Sequence, residues 1–242
     1  GAQTSMTELL LDDTDITSPP NVSMLTNLER LSIAGDKKPG RLTTLPDISN
    51  LVNLKFFNVS KNPNITSIPA GYFDNNIHLE EIVMEGNGIS EISAGIFDRC
   101  TKLKILNFRG NKLQKLSDAT LPLPLLEILD FRDNVISVNQ STPLSLTYFQ
   151  DLLNLKKLLL DNNKVKYFSK HHLIRQFKLT ELGSQGDENR FARIRQCPPG
   201  YYATQTFLGA AGKVFYTCDP CTKGRYQPTQ GSTSCLNCNT GQ

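Results

Sequence analysis

A pattern of leucines and asparagines recurs along the first three quarters of the chain. Segments beginning at Leu79, Leu103, Leu126 and Leu155 each follow the pattern L-x-x-L-x-L-x-x-N-x-L, with other apolar residues at some of the leucine positions. Weaker copies begin at Met6, Leu28 and Leu54, and a degenerate copy begins at Leu179. Successive starts are 22 to 29 residues apart, so the chain repeats one unit eight times. We call each copy of this unit a coil and number the coils 1 to 8 from the N-terminus. A unit this short buries its apolar side only by stacking on its neighbours.

Each coil is predicted to contain one short strand and one sharp turn. The alternation in L-x-L places leucines on one side of the strand and variable residues on the other. Stacked strands then form a parallel sheet above a continuous leucine core. An asparagine at the turn can donate to and accept from neighbouring coils, which keeps the buried backbone paired. The residues predicted to form this ladder are Asn62, Asn87, Asn111, Asn134 and Asn163, with Thr14, Asp36 and Asp187 as poorer substitutes near the ends.

Residues 6–187 resemble the extracellular leucine-rich-repeat family of the typical type. The resemblance implies an α/β repeat solenoid with a parallel sheet on its concave face and a mostly irregular convex face. It further implies non-catalytic binding of macromolecules, usually proteins. We expect residues 1–196 to form this array of about eight repeats, with two or three helical turns in Pro143–Leu153. No cysteine precedes Cys100, so we expect the cysteine-stapled N-terminal cap of many extracellular members to be absent or to have been removed.

The last 46 residues differ in composition, since they hold five of the six cysteines but only two of the 33 leucines. Residues 197–242 are therefore predicted to be a separate cysteine-rich module, truncated at its C-terminal end. Two chemistries fit the spacing: a structural zinc site at Cys218, Cys221, Cys235 and Cys238, or disulfides that join Cys197 to Cys218 and Cys221 to Cys235. The flanking residues resemble ephrin-receptor-like modules, relatives of the tumour necrosis factor receptor type, and this resemblance favours the disulfides. It leaves Cys238 to pair beyond residue 242.

Composition and motifs argue against several other classes of function. The 26 basic and 23 acidic residues nearly cancel, so nucleic-acid binding is not expected. The chain has no run of 18 apolar residues, and we expect membrane attachment only through a segment absent from it. No glycine-rich phosphate loop, nucleophile elbow or HExxH motif occurs, so we predict no enzyme activity, no cofactor, no metal site and no small-molecule substrate. Cys100 occupies an inward position and is predicted to be a buried free thiol.

Four sequons mark candidate glycosylation sites, which would be used only if the protein is secreted or displayed at the cell surface. They begin at Asn21, Asn58, Asn64 and Asn139. Asn58 is predicted to lie on the concave face, where a glycan would obstruct a partner. Either Asn58 is unmodified or the partner binds elsewhere.

Outward-facing residues of coils 3 to 6 form a candidate binding surface. One apolar residue from each coil defines what we call the apolar strip: Phe56, Val83, Ile105 and Ile128. Three charged residues flank it: Glu85, Arg109 and Arg132. Exposed apolar residues beside arginines are typical of protein-binding sites. The sequence thus predicts an extracellular or cell-surface recognition module with a protein partner. A structural component of a surface assembly and an intracellular scaffold with a zinc-binding tail remain as alternatives.

Overall fold

A computed structural model describes residues 5–35, 39–116, 121–138, 148–165, 181–182, 201–208, 214–221, 225–226 and 236–237. Within the repeat region the strands are β1 (Glu8–Leu10), β2 (Arg30–Ser32), β3 (Phe56–Asn58), β4 (Glu81–Val83), β5 (Ile105–Asn107), β6 (Ile128–Asp130), β7 (Ser137–Val138), β8 (Lys157–Leu159), β9 (Lys164–Val165) and β10 (Glu181–Leu182). The tail contains β11 (Tyr201–Leu208), β12 (Val214–Pro220), β13 (Arg225–Tyr226) and β14 (Leu236–Asn237).

The repeat region forms one parallel sheet of eight strands in the order β1-β2-β3-β4-β5-β6-β8-β10. Each of these strands begins two residues after a predicted repeat start, and neighbouring strands pair without a register slip. The predicted solenoid of stacked coils with a parallel sheet is therefore confirmed. We call the side of the sheet that faces solvent the concave face.

The core lies beneath the sheet and is continuous from coil to coil. The middle residue of each strand from β2 to β8 in this sheet is fully buried, as are the leucines that open coils 2 to 7. Phenylalanines behind the sheet link successive coils: Phe73 contacts Phe97 with ring centroids 5.6 Å apart, and Phe97 contacts Phe108 at 6.2 Å. Cys100 is buried and free, as predicted.

The asparagine ladder is confirmed at the turns after the strands. Asn111 shows the pattern: its Nδ2 donates to the carbonyls of Met84 and Phe108, and its Oδ1 accepts from the Ile89 amide. Asn134 makes the equivalent bonds one coil later, and its Oδ1 accepts from Leu113. Each amide thereby satisfies backbone groups of two coils at once, which is why buried turns need this residue. Thr14 bonds only within its own coil, and Asp36 and Asp187 lie outside the described residues.

At six of the turns, the residue before the ladder position adopts a left-handed backbone conformation. Its φ lies between 55° and 69° at Asp13, Lys61, Gly86, Gly110, Asp133 and Asn162. The first five of these residues each donate their N–H to a carbonyl of the next coil, as Gly110 does to Arg132 at 2.9 Å. The turn thus reverses the chain while keeping the coils hydrogen-bonded.

The convex side consists of turns and irregular segments, and the described residues include no α-helix. The helix predicted within Pro143–Leu153 is not formed where it can be assessed, because residues 148–151 are a turn; residues 143–147 lie outside the described part. A short parallel pair, β7 and β9, adds regular structure behind coils 6 and 7.

The tail contains two antiparallel pairs, β11 with β12 and β13 with β14. Cys221 is disulfide-bonded, whereas Cys197 and Cys235 and the expected boundary at residue 196 lie outside the described residues. The two-domain division and the individual cysteine pairings therefore stay predictions. No helix among the described residues has the length and apolar character needed to cross a bilayer.

Candidate concave binding face

The strand register arranges the outward side chains of the concave face in columns. Among the residues whose side chains are described, the first column runs Glu8, Arg30, Phe56, Glu81, Ile105, Ile128 and Lys157. The second runs Leu10, Ser32, Asn58, Val83, Asn107, Asp130 and Leu159. Because paired strands lie about 4.8 Å apart, neighbours in a column are close enough to act on the same partner.

The four residues of the apolar strip are half-buried and come from four successive strands. They form a zigzag, not a straight line. Phe56, Ile105 and Ile128 share the first column, whereas Val83 lies in the second column between Asn58 and Asn107. Glu81 takes the place in the first column between Phe56 and Ile105, so a carboxylate interrupts the apolar surface at its centre.

Arg30 borders the apolar strip on the side of the N-terminal coils. Its guanidinium carbon lies 4.1 Å from the ring centre of Phe56, a cation–π contact. The same guanidinium donates from Nε to Glu8 at 2.9 Å. Phe56 is therefore held in place by a residue that sequence reasoning did not include in the site.

The two predicted rim arginines are engaged by aspartates of this chain. Arg109 donates from Nε to Asp133 at 2.6 Å, and Arg132 donates to both carboxylate oxygens of Asp130. The hydrogen bond to Asp130 raises the pKa of Arg132, and hydrogen bonds from Asn162 and then Arg109 lower the pKa of Asp133. Sequence reasoning missed these pairs, although Asp130 and Arg132 are two residues apart on one side of a strand end, which is a usable signal.

Asparagine and aspartate side chains at the strand ends cap the following turns. Asn58, Asn107 and Asp130 accept from the amides of Ser60, Arg109 and Arg132 at 2.9 to 3.0 Å. Glu85, the remaining predicted binding residue, accepts from Asn107 Nδ2 at 3.3 Å. Three side chains of the second column therefore serve to cap the turns.

The sequons differ in how accessible they are. Asn21 and Asn64 are exposed, and Asn139 lies outside the described residues. Asn58 is half-buried on the concave face, as predicted; its Nδ2 donates to Ser32 Oγ, and the hydroxyl-bearing Ser60 of its sequon is buried. Of the three described sequons, Asn58 is the least suited to carry a glycan.

A row of alternating charges flanks the concave face at the second residue of each coil. From coil 2 to coil 7 it runs Glu29, Lys55, Glu80, Lys104, Glu127 and Lys156. Within it, Glu29 pairs with Lys55 at 2.8 Å, Glu80 with Lys104 at 2.6 Å, and Glu127 with Lys156 at 2.8 Å. We call this row the charge ladder. Sequence reasoning missed it, yet aligning the coils reveals it directly.

Comparisons with known proteins agree with this geometry. A family model described as leucine rich repeat matches residues 52–113 and 77–136. A model described as tyrosine-protein kinase ephrin type A/B receptor-like matches residues 209–242. No curated protein matches the chain.

Two of the solved structures that are similar to the chain illustrate the match. One is a leucine-rich-repeat protein of Leptospira interrogans, with 19% identity, a TM-score of 0.49, and coverage of 74% of this chain and 55% of its own. The other is TLR13 in complex with ssRNA13, with 23% identity, a TM-score of 0.55, and coverage of 75% of this chain and 29% of its own. The chain therefore spans only part of either protein. The register, the ladder and the family matches together identify a leucine-rich-repeat solenoid followed by a segment similar to ephrin-receptor-like modules.

Proposed function

We propose that the solenoid is a non-catalytic recognition module that binds a protein partner on its concave face at coils 3 to 6. The observation that carries the proposal is the apolar strip, since four half-buried apolar side chains on adjacent strands remain open to solvent at the centre of a rigid sheet. Such a surface gains free energy when a partner excludes water from it. Repeat solenoids commonly use this extended sheet surface for binding.

A protein partner fits the charges better than a nucleic acid does. TLR13 was solved with RNA, but the likeness to it supports only a shared fold. Nucleic-acid binding depends on cations that are free to neutralise phosphates. Arg30, Arg109 and Arg132 are each already paired with a carboxylate of this chain.

We further propose that the protein acts outside the cell or at its surface. The disulfide at Cys221 supports an oxidising compartment and disfavours the zinc-binding tail of the intracellular alternative. The exposed sequons at Asn21 and Asn64 and the match to an ephrin-receptor-like model fit the same location. The tail would then act as a spacer, and the pairs Cys197–Cys218 and Cys221–Cys235 remain part of this proposal.

Affinity capture with matched variants tests the binding face. The purified chain is used as bait on detergent extract and medium from the cells that naturally produce it. Ile105→Asp places a charge in the apolar strip, and Val135→Asp makes the same kind of change at an exposed valine away from the strip. We expect a protein that both the native chain and Val135→Asp retain, and that Ile105→Asp retains about tenfold less or worse. Equal retention by all three baits would contradict the proposed surface.

A further inference from the structure

Glu81 lies in unusual surroundings for a carboxylate on a protein surface. Its direct strand neighbours in the first column are Phe56 and Ile105, both apolar. Among the described residues, its carboxylate makes no hydrogen bond and no ion pair. Burial raises the pKa of Glu81, and the charge of Arg30 offsets this only in part. The folded chain therefore holds a negative charge between two apolar side chains, with only partial compensation from Arg30.

The neighbouring charges are arranged differently, since they are satisfied within the chain. Arg30 is paired with Glu8, and the charge-ladder lysines on either side, Lys55 and Lys104, are paired with Glu29 and Glu80. Glu85, on the same coil, has only a 3.3 Å hydrogen bond from Asn107 and no ion pair among the described residues. Two acids of coil 4, Glu81 and Glu85, thus flank Val83 in the sequence, and neither has an ion pair among the described residues.

We propose that the concave face recognises a protein segment carrying a lysine or arginine flanked by apolar residues, with its cation placed against Glu81. This inference rests on the proposed function, which it deepens by naming the chemistry of the partner. Apolar groups of the segment cover Phe56 on one side and Ile105 and Ile128 on the other. Covering them also removes water from Glu81, which strengthens its attraction to a cation and penalises any segment that lacks one.

The geometry also predicts what the face rejects. An acidic segment would place like charges together in a water-poor surface, a costly arrangement. A wholly apolar segment would bury the Glu81 carboxylate without a partner, which costs more than the apolar contacts at that position return. Selectivity therefore comes from one residue at the centre of the strip, while the apolar contacts supply most of the affinity.

A displayed library of short random peptides provides the probe. Peptides are selected on the full chain, and those that also bind Ile105→Asp are discarded, which leaves binders of the concave face. We expect this set to be enriched in lysine or arginine with apolar neighbours. For a selected peptide, Glu81→Gln should weaken binding by roughly tenfold or more, the loss expected for a desolvated charge pair. Glu91→Gln, which removes a carboxylate from an exposed position elsewhere in coil 4, should leave binding unchanged.

A charge exchange completes the test. Glu81→Lys should lose the selected peptide and regain binding when the peptide's basic residue is changed to glutamate. Concave-face peptides without basic enrichment, or with unchanged affinity for Glu81→Gln, would overturn this inference and leave the proposed function standing. If no peptide distinguishes the native chain from Ile105→Asp, both proposals are contradicted.

Discussion

Residues at equivalent places in the coils perform different tasks on the concave face. Phe56 and Ile105 supply apolar area, Arg30 holds Phe56, and Asp130 fixes Arg132. Glu81 is the exception, because its carboxylate makes no hydrogen bond and no ion pair among the described residues, and the charge of Arg30 offsets its burial only in part. Such a residue reduces stability slightly and is explained most simply by an interaction outside the chain.

This interpretation predicts that Glu81→Gln stabilises the free protein at neutral pH. Since the pKa of Glu81 is raised in the folded state, its ionised form opposes folding, and this penalty is present above the folded pKa. The gain should be small, about 0.5 kcal/mol, because the side chain is half-exposed and partly screened. It should disappear as the pH falls below the ordinary value of 4.5, where the carboxyl is protonated in both states.

Urea unfolding of the native chain, Glu81→Gln and Glu91→Gln at several pH values measures this difference. The exposed Glu91 serves as the control and should give no pH-dependent change. A loss of stability in Glu81→Gln at neutral pH would mean that the carboxylate has a stabilising partner in the free chain.

At the scale of the element, the strand and its turn form a unit defined by three positions: the buried leucine, the left-handed residue and the ladder asparagine. Glycine occupies the left-handed position in coils 4 and 5, at Gly86 and Gly110, whereas Lys61, Asp133 and Asn162 occupy it in other coils. A side chain at this position costs free energy because its Cβ crowds the following carbonyl. The turn tolerates this cost because its hydrogen bonds fix the backbone.

Two glycine substitutions in adjacent coils separate backbone strain from steric conflict. A Cβ on Gly110 would meet the Gly86 backbone at an ordinary 3.5 Å, so Gly110→Ala should lose only the conformational term, about 1 kcal/mol. A Cβ on Gly88 would lie 2.5 Å from the Pro63 carbonyl oxygen, so Gly88→Ala should lose clearly more. Thermal unfolding of both variants, with Lys112→Ala as an exposed control, gives the comparison. Equal losses would contradict this separation.

The elements could be predicted from the sequence because their signal is periodic. The starts at Leu28, Leu54 and Leu103 place each strand two residues later, as found, since burial repeats with the same period as the chain. The site was harder to predict. The pairing of Arg109 with Asp133 joins residues on neighbouring coils, and the isolation of Glu81 depends on what its neighbours already bind. The residue type at each position of a column does not show which of the neighbouring side chains are already paired with one another.

At the scale of the whole molecule, the solenoid is held together by contacts between adjacent coils. A disturbance should therefore spread to neighbours and fade along the array. The reactivity of Cys100, near the middle of the array, measures how far such a disturbance spreads. Burial, followed by the charge of Asp74, raises the pKa of its thiol to about 12, so it should react with an alkylating agent only when its coil opens.

Alkylation of Cys100 should respond to the position of a core mutation. Leu106→Ala, in the coil that follows Cys100, and Leu31→Ala, in coil 2, both remove fully buried side chains and should each cost about 2–5 kcal/mol locally. We expect Leu106→Ala to accelerate labelling far more than Leu31→Ala. Mass spectrometry of digested protein distinguishes Cys100 from the tail cysteines. Equal acceleration would show that the array opens as a single unit.

The charge ladder bears on how such a chain can gain or lose repeats. The signs of its charges alternate along coils 2 to 7, so neighbouring coils contribute opposite charges. Deleting coil 4 alone would instead place the like charges of Lys55 and Lys104 on neighbouring coils. Deleting coils 4 and 5 together would bring Lys55 beside Glu127 and preserve the alternation. Duplications and losses of an even number of coils thus preserve the alternation of charge, whereas odd numbers bring two like charges together.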